Sequence, residues 1–186
     1  MERGGHGVAL AIIAFAAFFL FDVNSVTLRF RTLQILFPLG ALSLLAATIA
    51  EVHIAFGQTA PLDSIDYVWL ALSAIHTILL VYALFFAIPF SESYTDSVDA
   101  APRTVTRTGL YGICRHPGVW FLALALFFIA LAMPTTRMWL FVGLVSFLNL
   151  LYVQFQDLWT FPRIFSDYDD YKLSVPFLIP RLRKRL

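Results

Sequence analysis

Charged residues are scarce in this chain. Asp, Glu, Lys and Arg make up 13% of its 186 residues, whereas soluble domains carry about 25%. The formal net charge is only +1, which excludes the strongly basic surface that nucleic-acid-binding domains use. Hydrophobic residues account for 60% of the chain. This composition indicates an integral membrane protein with no nucleic-acid partner.

Cysteine is nearly absent as well. Because Cys114 is the only one, an internal disulfide is excluded, and no Cys/His cluster has the spacing of a zinc site, so no metal is expected. Its neighbour Arg115 would favour a reactive thiolate, but a small packing residue is the preferred interpretation. No internal repeat or low-complexity tract divides the sequence, which predicts a single domain over 1–186.

Five apolar stretches predict an all-α polytopic membrane protein with about five transmembrane helices. They are Gly7–Phe21, Leu33–Ala50, Tyr67–Phe90, Val119–Met133 and Met138–Val153. A helix needs about 20 residues to cross about 30 Å of hydrocarbon, so the shorter stretches must borrow flanking residues. No small-residue cleavage site follows the first stretch, which is therefore expected to be a retained span. The four residues from Pro134 to Arg137 predict a tight hairpin between the last two spans, and residues 1–90 hold the first three.

The distribution of basic residues predicts the orientation. If the N-terminus is outside and five helices cross, 11 of the 13 Lys and Arg residues lie inside, and only Arg3 and Arg137 lie outside. The inside segments are then 22–32, 91–118 and 154–186. The positive-inside rule therefore predicts a cytoplasmic C-terminal cap. The basic run from Arg181 to Arg185 is expected to bind anionic lipid headgroups, so membrane lipids are predicted partners.

A charged tripeptide, Arg115-His116-Pro117, stands directly before the fourth apolar stretch. Pro117 suits the first turn of a helix, where no backbone N–H is needed. Backbone donors at a helix start together with the Arg115 guanidinium would form an anion site, able to hold a carboxylate in a bidentate fork. The alternative is that Arg115 only reaches lipid phosphate and His116 is a boundary residue, and for an isolated pair that alternative is preferred.

The residues around the tripeptide reverse this preference. The segment Gly109-Leu110-Tyr111 precedes it, and Phe165, Tyr168, Tyr171, Val175-Pro176 and Ile179-Pro180 follow near the end of the chain. Together, residues 105–181 resemble the isoprenylcysteine carboxyl methyltransferase-like family of membrane methyltransferases. The resemblance implies that both segments enclose S-adenosylmethionine at the cytosolic membrane face. The implied cofactor-binding residues are Tyr111, Arg115, His116, Pro117, Gln156, Tyr168 and Tyr171.

Two departures from the family pattern bear on the acceptor and on activity. Val119 occupies the position where the family commonly has Tyr. The family's acidic pair is reduced to Asp157, which is followed by Leu158, and Ser166 stands at the Gly of the turn. Methyl transfer needs a general base only if the acceptor carries a proton, and the candidate catalytic groups are then His116 and Asp157.

A polar stripe on the fifth stretch independently predicts a pocket. Ser146, Asn149, Tyr152 and Gln156 follow spacings of 3, 3 and 4 and therefore share one helix face. Polar groups within a membrane span face the bundle interior or a wet cavity, and hydrogen bonding between helices is an equally weighted alternative. The residues expected to cover adenine or to face a sulfonium cation are Tyr111, Trp120, Tyr168 or Tyr171.

Polar residues in the earlier spans are given structural rather than functional interpretations. His76 lies mid-span, where a packed, hydrogen-bonded histidine is favoured over an acceptor-pocket residue or a haem ligand. Glu51 and His53 lie at the end of the second stretch and are interpreted as solvated boundary groups.

The predicted function is S-adenosylmethionine-dependent methyl transfer to a lipid-like or small-molecule acceptor at the cytoplasmic membrane face. One alternative is a membrane reductase, because some sterol reductases have a similar C-terminal half, but a nicotinamide cofactor would require more cationic contacts. The other is a catalytically degenerate subunit or scaffold for a protein partner, which the altered acidic pair supports.

Overall fold

The computed structural model describes residues 5–87 and 103–180, and every regular element in these ranges is helical. The α-helices are α1 His6–Val23, α2 Leu36–Phe56, α3 Ser64–Phe85, α4 Pro117–Ala132, α5 Thr136–Phe155, α6 Phe161–Ile164 and α7 Tyr168–Ser174. Wider π turns continue α1 and α5 over Asn24–Leu28 and Gln156–Thr160, and 3₁₀ turns cover Arg31–Ile35 and Gly109–Gly112. The all-α prediction is confirmed for this part of the chain. The end of the third predicted span, most of the polar loop before Arg107 and the basic tail lie outside the described residues.

Four helical segments are long and apolar enough to cross a membrane. They are His6–Leu28, Arg31–Phe56, Ser64–Phe85 and Thr136–Ile164. The fourth predicted span corresponds to α4, which is apolar but has only 16 residues and is thus about 24 Å long. Large apolar side chains point outward from these helices, including Leu42 at 61% and Ile78 at 67% exposure. Such contiguous outward apolar faces are expected where lipid replaces water.

Local sequence signals explain where α3 and α5 begin. At the start of α3, the Asp63 carboxylate accepts hydrogen bonds from the Ile65 and Asp66 backbone N–H groups, and the Asp66 carboxylate accepts one from the Asp63 backbone N–H. At the start of α5, Thr135 Oγ1 accepts from the Met138 N–H at 3.1 Å. Only residues 133–135 separate α4 from α5, and the two helices pack against each other, which confirms the predicted hairpin.

The helices pack as two pairs joined by α5. Helix α1 packs along α2, α3 packs along α4, and α5 contacts α1, α2 and α4. Small residues let α1 and α2 approach closely: Ala14 and Ala47 are fully buried, and a Cβ atom on Gly40 would lie 2.7 Å from the Phe18 ring. The Phe18 ring stacks on Tyr152 of α5 at 5.6 Å. This core holds the ends of α1 and α5 together.

An ion pair ties α2 to α5 at one end of the bundle. Arg137 donates from Nε and Nη2 to the two carboxylate oxygens of Glu51 at 2.5 and 2.6 Å. Glu51 is only 1% exposed, and Gly7 of α1 packs so closely on it that any Cβ there would overlap the carboxylate. The interpretation of Glu51 as a solvated boundary group is therefore wrong, because its charge is compensated by Arg137 of another helix rather than by water. His53 is exposed, as expected.

Candidate functional site

A cavity of about 710 Å³ opens at the other end of the bundle, where α1 and α5 end and α4 begins. This volume falls within the range of about 300–1,000 Å³ that small-molecule sites occupy. One part of its wall is apolar and comes from α1 to α4, with Phe37, Leu80 and Leu122 among its members. The other part is polar and comes from the segments around the Arg-His-Pro tripeptide and the end of α5.

The predicted cofactor-binding residues meet on this cavity wall. The lining includes Tyr111, Arg115, His116, Pro117, Gln156, Tyr168 and Tyr171. Asp157 is not part of the lining and lies behind Arg115 and His116. Trp120 is also absent from it, because its indole N–H donates to the Leu178 carbonyl at 2.8 Å and so fastens α4 to the C-terminal segment. The shared cavity brings the residues together, and their roles remain predictions.

A turn built on two glycines places Tyr111 at the cavity. Gly109 has a φ of +60°, which favours glycine, and a Cβ atom on Gly112 would lie 2.6 Å from the Arg107 carbonyl oxygen. The Tyr111 hydroxyl donates to the Ala83 carbonyl of α3 at 3.0 Å. The spacing of the two glycines in the family-like segment thus has a local structural reason.

Backbone hydrogen bonds hold the C-terminal segment against this turn. The Tyr171 hydroxyl donates to the Tyr111 carbonyl at 2.6 Å, and the Arg115 N–H donates to the Pro176 carbonyl at 3.0 Å. Burial raises the pKa of the Tyr171 hydroxyl, so the group stays protonated as a donor at neutral pH. The two segments that carry the family resemblance are therefore physically joined.

Asp167 reinforces the same junction from the surface. Its carboxylate accepts from the Val105 N–H at 2.9 Å and pairs with the Arg107 guanidinium at 2.8 Å. Desolvation opposes ionisation of this carboxyl, but these hydrogen bonds and the nearby positive charge outweigh it and lower the pKa of Asp167. Because Arg107 is 40% exposed, the pair orders the junction more than it stabilises the fold.

Asp157 is buried behind the cavity wall, where three side chains contact its carboxylate. Its Oδ1 atom accepts from the Tyr168 hydroxyl at 2.7 Å and lies 3.3 Å from both His116 Nε2 and Arg115 Nη1. Burial and the adjacent carboxylate raise the pKa of Tyr168, which keeps its hydroxyl a donor. The π turn that follows α5 supplies Asp157, and such turns are frequent at functional sites.

His116 is held as a neutral ring between aromatic side chains. It is 6% exposed, stacks on Phe161 at 5.8 Å and meets Phe177 edge-on at 5.1 Å. Burial lowers the pKa of His116, and the attraction of Asp157 for the protonated form offsets this only in part. If Nε2 carries the hydrogen toward Asp157, the other ring nitrogen is left as a proton acceptor.

Arg115 keeps donors available although it is nearly buried. Its side chain is 10% exposed and lines the cavity, yet Nε and Nη1 have no hydrogen-bond partner. Nη1 is within ion-pair distance of Asp157 but is not aligned for a hydrogen bond. The guanidinium carbon also lies 5.5 Å from the Phe177 ring centroid. Buried donors of this kind are normally satisfied, so these nitrogens are available to an acceptor group that enters the cavity.

The polar stripe on α5 faces the cavity over most of its length. Asn149, Tyr152 and Gln156 line the wall, whereas Ser146 does not. Gln156 Nε2 also donates to the Tyr152 hydroxyl at 2.9 Å. The stripe therefore combines the two roles weighed from the sequence, since it lines the cavity and bonds within the bundle.

Sequence reasoning missed three charged residues of the cavity wall, Asp22, Arg29 and Arg103, of which Asp22 is the buried one. Asp22, near the end of α1, is 3% exposed and lines the cavity. Its Oδ2 accepts from Thr160 Oγ1 at 3.4 Å. A lone carboxylate directly after the uncharged apolar run ending at Phe21 was the signal that could have found it.

Cys114 and His76 play no part in the cavity. Cys114 is 3% exposed, and burial raises the pKa of its thiol, which fits a packing residue rather than a reactive thiolate. His76 is close to the Leu72 carbonyl through Nδ1 at 2.8 Å, and its ring lies 5.2 Å from Phe128. The packed, hydrogen-bonded interpretation of His76 matches these contacts.

No protein-family model, curated protein or solved structure matches this chain. The family resemblance therefore rests on the motifs within 105–181 alone, and the function has to be argued from the cavity.

Proposed function

We propose that this protein transfers a methyl group from S-adenosylmethionine to a lipid-like or small acceptor at the membrane. The observation that carries the proposal is the Arg115 guanidinium, which faces the cavity with two buried nitrogens that have no hydrogen-bond partner. Leaving a buried donor unsatisfied costs about 1–3 kcal/mol. The α-carboxylate of S-adenosylmethionine is an anionic group that a guanidinium fork binds well.

The remaining cavity wall suits the other parts of this cofactor. Tyr111, Tyr168 and Tyr171 offer aromatic faces that attract a sulfonium cation or stack on adenine. Asn149 and Gln156 offer amide groups for ribose and base. When bound, the cofactor supplies an electrophilic methyl group, and the chain supplies orientation and exclusion of water.

His116 is the proposed proton acceptor for an acceptor molecule that carries a proton. Its ring lines the cavity, is neutral because burial lowers its pKa, and is oriented by Asp157 at 3.3 Å. In this proposal Asp157 is a positioning residue, because it reaches the cavity only through His116 and Arg115. The proton would leave the acceptor for the free ring nitrogen of His116.

The apolar part of the wall favours an acceptor with a hydrocarbon portion. Phe37 and Leu44 of α2, Leu80 and Leu84 of α3, and Leu122 of α4 line the same cavity as the polar residues. An apolar tail placed there would leave the acceptor's reactive group near His116. This arrangement supports a lipid-like acceptor over a fully polar one.

We further infer that five helices cross, with the N-terminus outside and the cytoplasm at the cavity end. Arg29, Arg103 and Arg115 line the cavity, whereas Arg137 lies at the opposite end. A membrane-impermeant maleimide applied to intact cells should label Gln58→Cys but not Leu173→Cys. Leu173 is 87% exposed, and native Cys114 is buried and gives little background. Labelling of Leu173→Cys from outside would reverse the orientation.

Loss of Arg115 should weaken binding of S-adenosylmethionine. We expect Arg115→Ala to lower the binding free energy by about 1.5–3 kcal/mol, the scale of a hydrogen bond to a charged group. Arg115→Lys should recover only part of it, because an ammonium lacks the planar fork. Isothermal titration of the detergent-purified protein measures both.

The matched control for this titration is Arg163→Ala. Arg163 packs on Trp159 and is not part of the cavity lining, so its loss should leave affinity unchanged. Asp157 keeps its Tyr168 and His116 contacts in Arg115→Ala, and a melting curve checks that the variant is folded. Unchanged affinity in folded Arg115→Ala would remove Arg115 from the site.

One observation supports a nicotinamide-dependent reductase as the second candidate. Arg29 lines the cavity together with Arg115, and two guanidinium groups would suit a pyrophosphate. Titration with NADPH in the same buffer separates the two enzymes. Binding of NADPH without S-adenosylmethionine would replace the methyltransferase proposal, and binding of neither would favour the subunit or scaffold.

A further inference from the structure

Asp22 is a buried carboxylate on the cavity wall that has only neutral partners. It is 3% exposed, accepts a hydrogen bond from Thr160 and is also hydrogen-bonded by the Gln156 and Tyr152 side chains. Among the described residues no arginine, lysine or histidine forms an ion pair with it. The carboxyl group is therefore held in place without a counter-charge.

A structural role alone does not require this charge. Hydroxyl and amide partners from α5 and its π turn would bond equally to a neutral side chain, and burying a carboxylate without a counter-charge is costly. An ionised carboxylate accepts about four hydrogen bonds, and Asp22 faces the cavity. Its remaining capacity is available to a ligand that brings hydrogen-bond donors or a positive charge.

Asp22 and Arg115 give the cavity two sites of opposite charge. Arg115 stands at the start of α4 and Asp22 near the end of α1, beside the apolar wall residues Phe18 and Phe21. Asp22 also lies outside residues 105–181, so the family resemblance assigns it no role. Because Arg115 is the proposed carboxylate site for the cofactor, the carboxylate of Asp22 is left for the second substrate.

We propose that Asp22 determines acceptor specificity by binding a hydrogen-bond-donating headgroup, an amine or a hydroxyl, and by rejecting a carboxylate. This inference rests on the proposed methyl transfer. An amine or alcohol donates to Asp22, whereas an anionic headgroup placed beside it meets like-charge repulsion and loses its hydration. The neighbouring apolar wall then holds the hydrocarbon portion of the same molecule.

The test compares three probes of equal chain length, octylamine, octanol and octanoate, titrated into the purified protein in lipid nanodiscs. Binding of S-adenosylhomocysteine is measured in parallel. The wild-type protein should bind octylamine and octanol at least about tenfold more tightly than octanoate, the scale of one charged hydrogen bond. Octanoate binding as tight as octylamine binding would overturn the proposal without any variant.

The variant Asp22→Asn keeps the side-chain shape and removes the charge. It should weaken octylamine binding by about tenfold and reduce the preference for octylamine over octanoate. The affinity for S-adenosylhomocysteine should stay within about twofold of the wild-type value. The control Asp169→Asn removes an exposed carboxylate that pairs with Lys172 and should change neither affinity. If Asp22→Asn weakens S-adenosylmethionine but not octylamine binding, Asp22 belongs to the cofactor site and the proposal fails.

The two proposals fail in different ways in this experiment. If the wild-type protein binds neither S-adenosylhomocysteine nor S-adenosylmethionine, the proposed methyl transfer is contradicted. Normal binding of these compounds together with equal affinity for the three probes contradicts only the role of Asp22.

Discussion

We expect Arg137→Ala to lower the free energy of unfolding by about 3–5 kcal/mol, the usual cost of breaking a buried ion pair by removing one partner. Arg137 contacts both carboxylate oxygens of Glu51, which is 1% exposed. Without the guanidinium, the Glu51 charge is left buried between α1, α2 and α5. Unfolding of the detergent-solubilised protein, followed by circular dichroism, measures the loss.

A double variant separates the loss of the ion pair from the cost of leaving one charge buried without a partner. Glu51→Gln combined with Arg137→Gln removes both charges and should recover most of the stability lost in Arg137→Ala, since no unpaired charge remains. Arg137→Lys should lie between the wild type and Arg137→Ala, because it keeps the charge but loses the fork. A change below about 1 kcal/mol in Arg137→Ala would mean that water reaches Glu51 and that the pair is a surface one.

The helices were predictable because their signals are local. Apolar runs fix where α1, α2, α3 and α5 lie, and Pro117 and the Pro134–Thr135 segment explain why α4 is short. The one-turn extensions of α1 and α5 were not predicted, since a π turn has no reliable signature in hydropathy. The polar stripe on α5 did predict a wall of the cavity, because helical spacing alone puts its members on one face.

Contacts of charged residues with partners far apart in the sequence could not be predicted from the sequence. Glu51 and Arg137 are 86 positions apart, so a glutamate at the end of an apolar stretch was interpreted as solvated. Asp22 and Thr160 are 138 positions apart, so the sequence could mark Asp22 as an unusual carboxylate beside an apolar run but could not place it against the end of α5. The motifs predict a site at Arg115 and His116, but only the packing of α5 against this segment shows that both lie beside Asp157.

The second large effect is expected from substitution of Asp157, because several side chains contact its carboxylate. Three side chains from two different segments, Arg115, His116 and Tyr168, meet at its Oδ1 atom, the first through an ion-pair contact and the other two through hydrogen bonds. Asp157→Asn keeps an oxygen there but removes the charge that compensates the nearly buried Arg115. We expect the free energy of unfolding to fall by about 3–5 kcal/mol, as for other broken buried pairs.

Methyl transfer should fall together with stability in Asp157→Asn, because Asp157 orients His116 and Arg115 rather than touching substrate. Tyr168→Phe is the graded comparison, since it removes one hydrogen bond to the carboxylate and should cost about 1.5–3 kcal/mol. Asp169→Asn, at an exposed carboxylate, is the control and should stay within about 0.5 kcal/mol of the wild type. Melting curves and transfer of radiolabelled methyl groups to a total membrane extract give both readouts. An Asp157→Asn protein that loses activity but keeps its full stability would show that the carboxylate serves the reaction and not the fold, and one that keeps both would show that the altered acidic pair has no role in this chain.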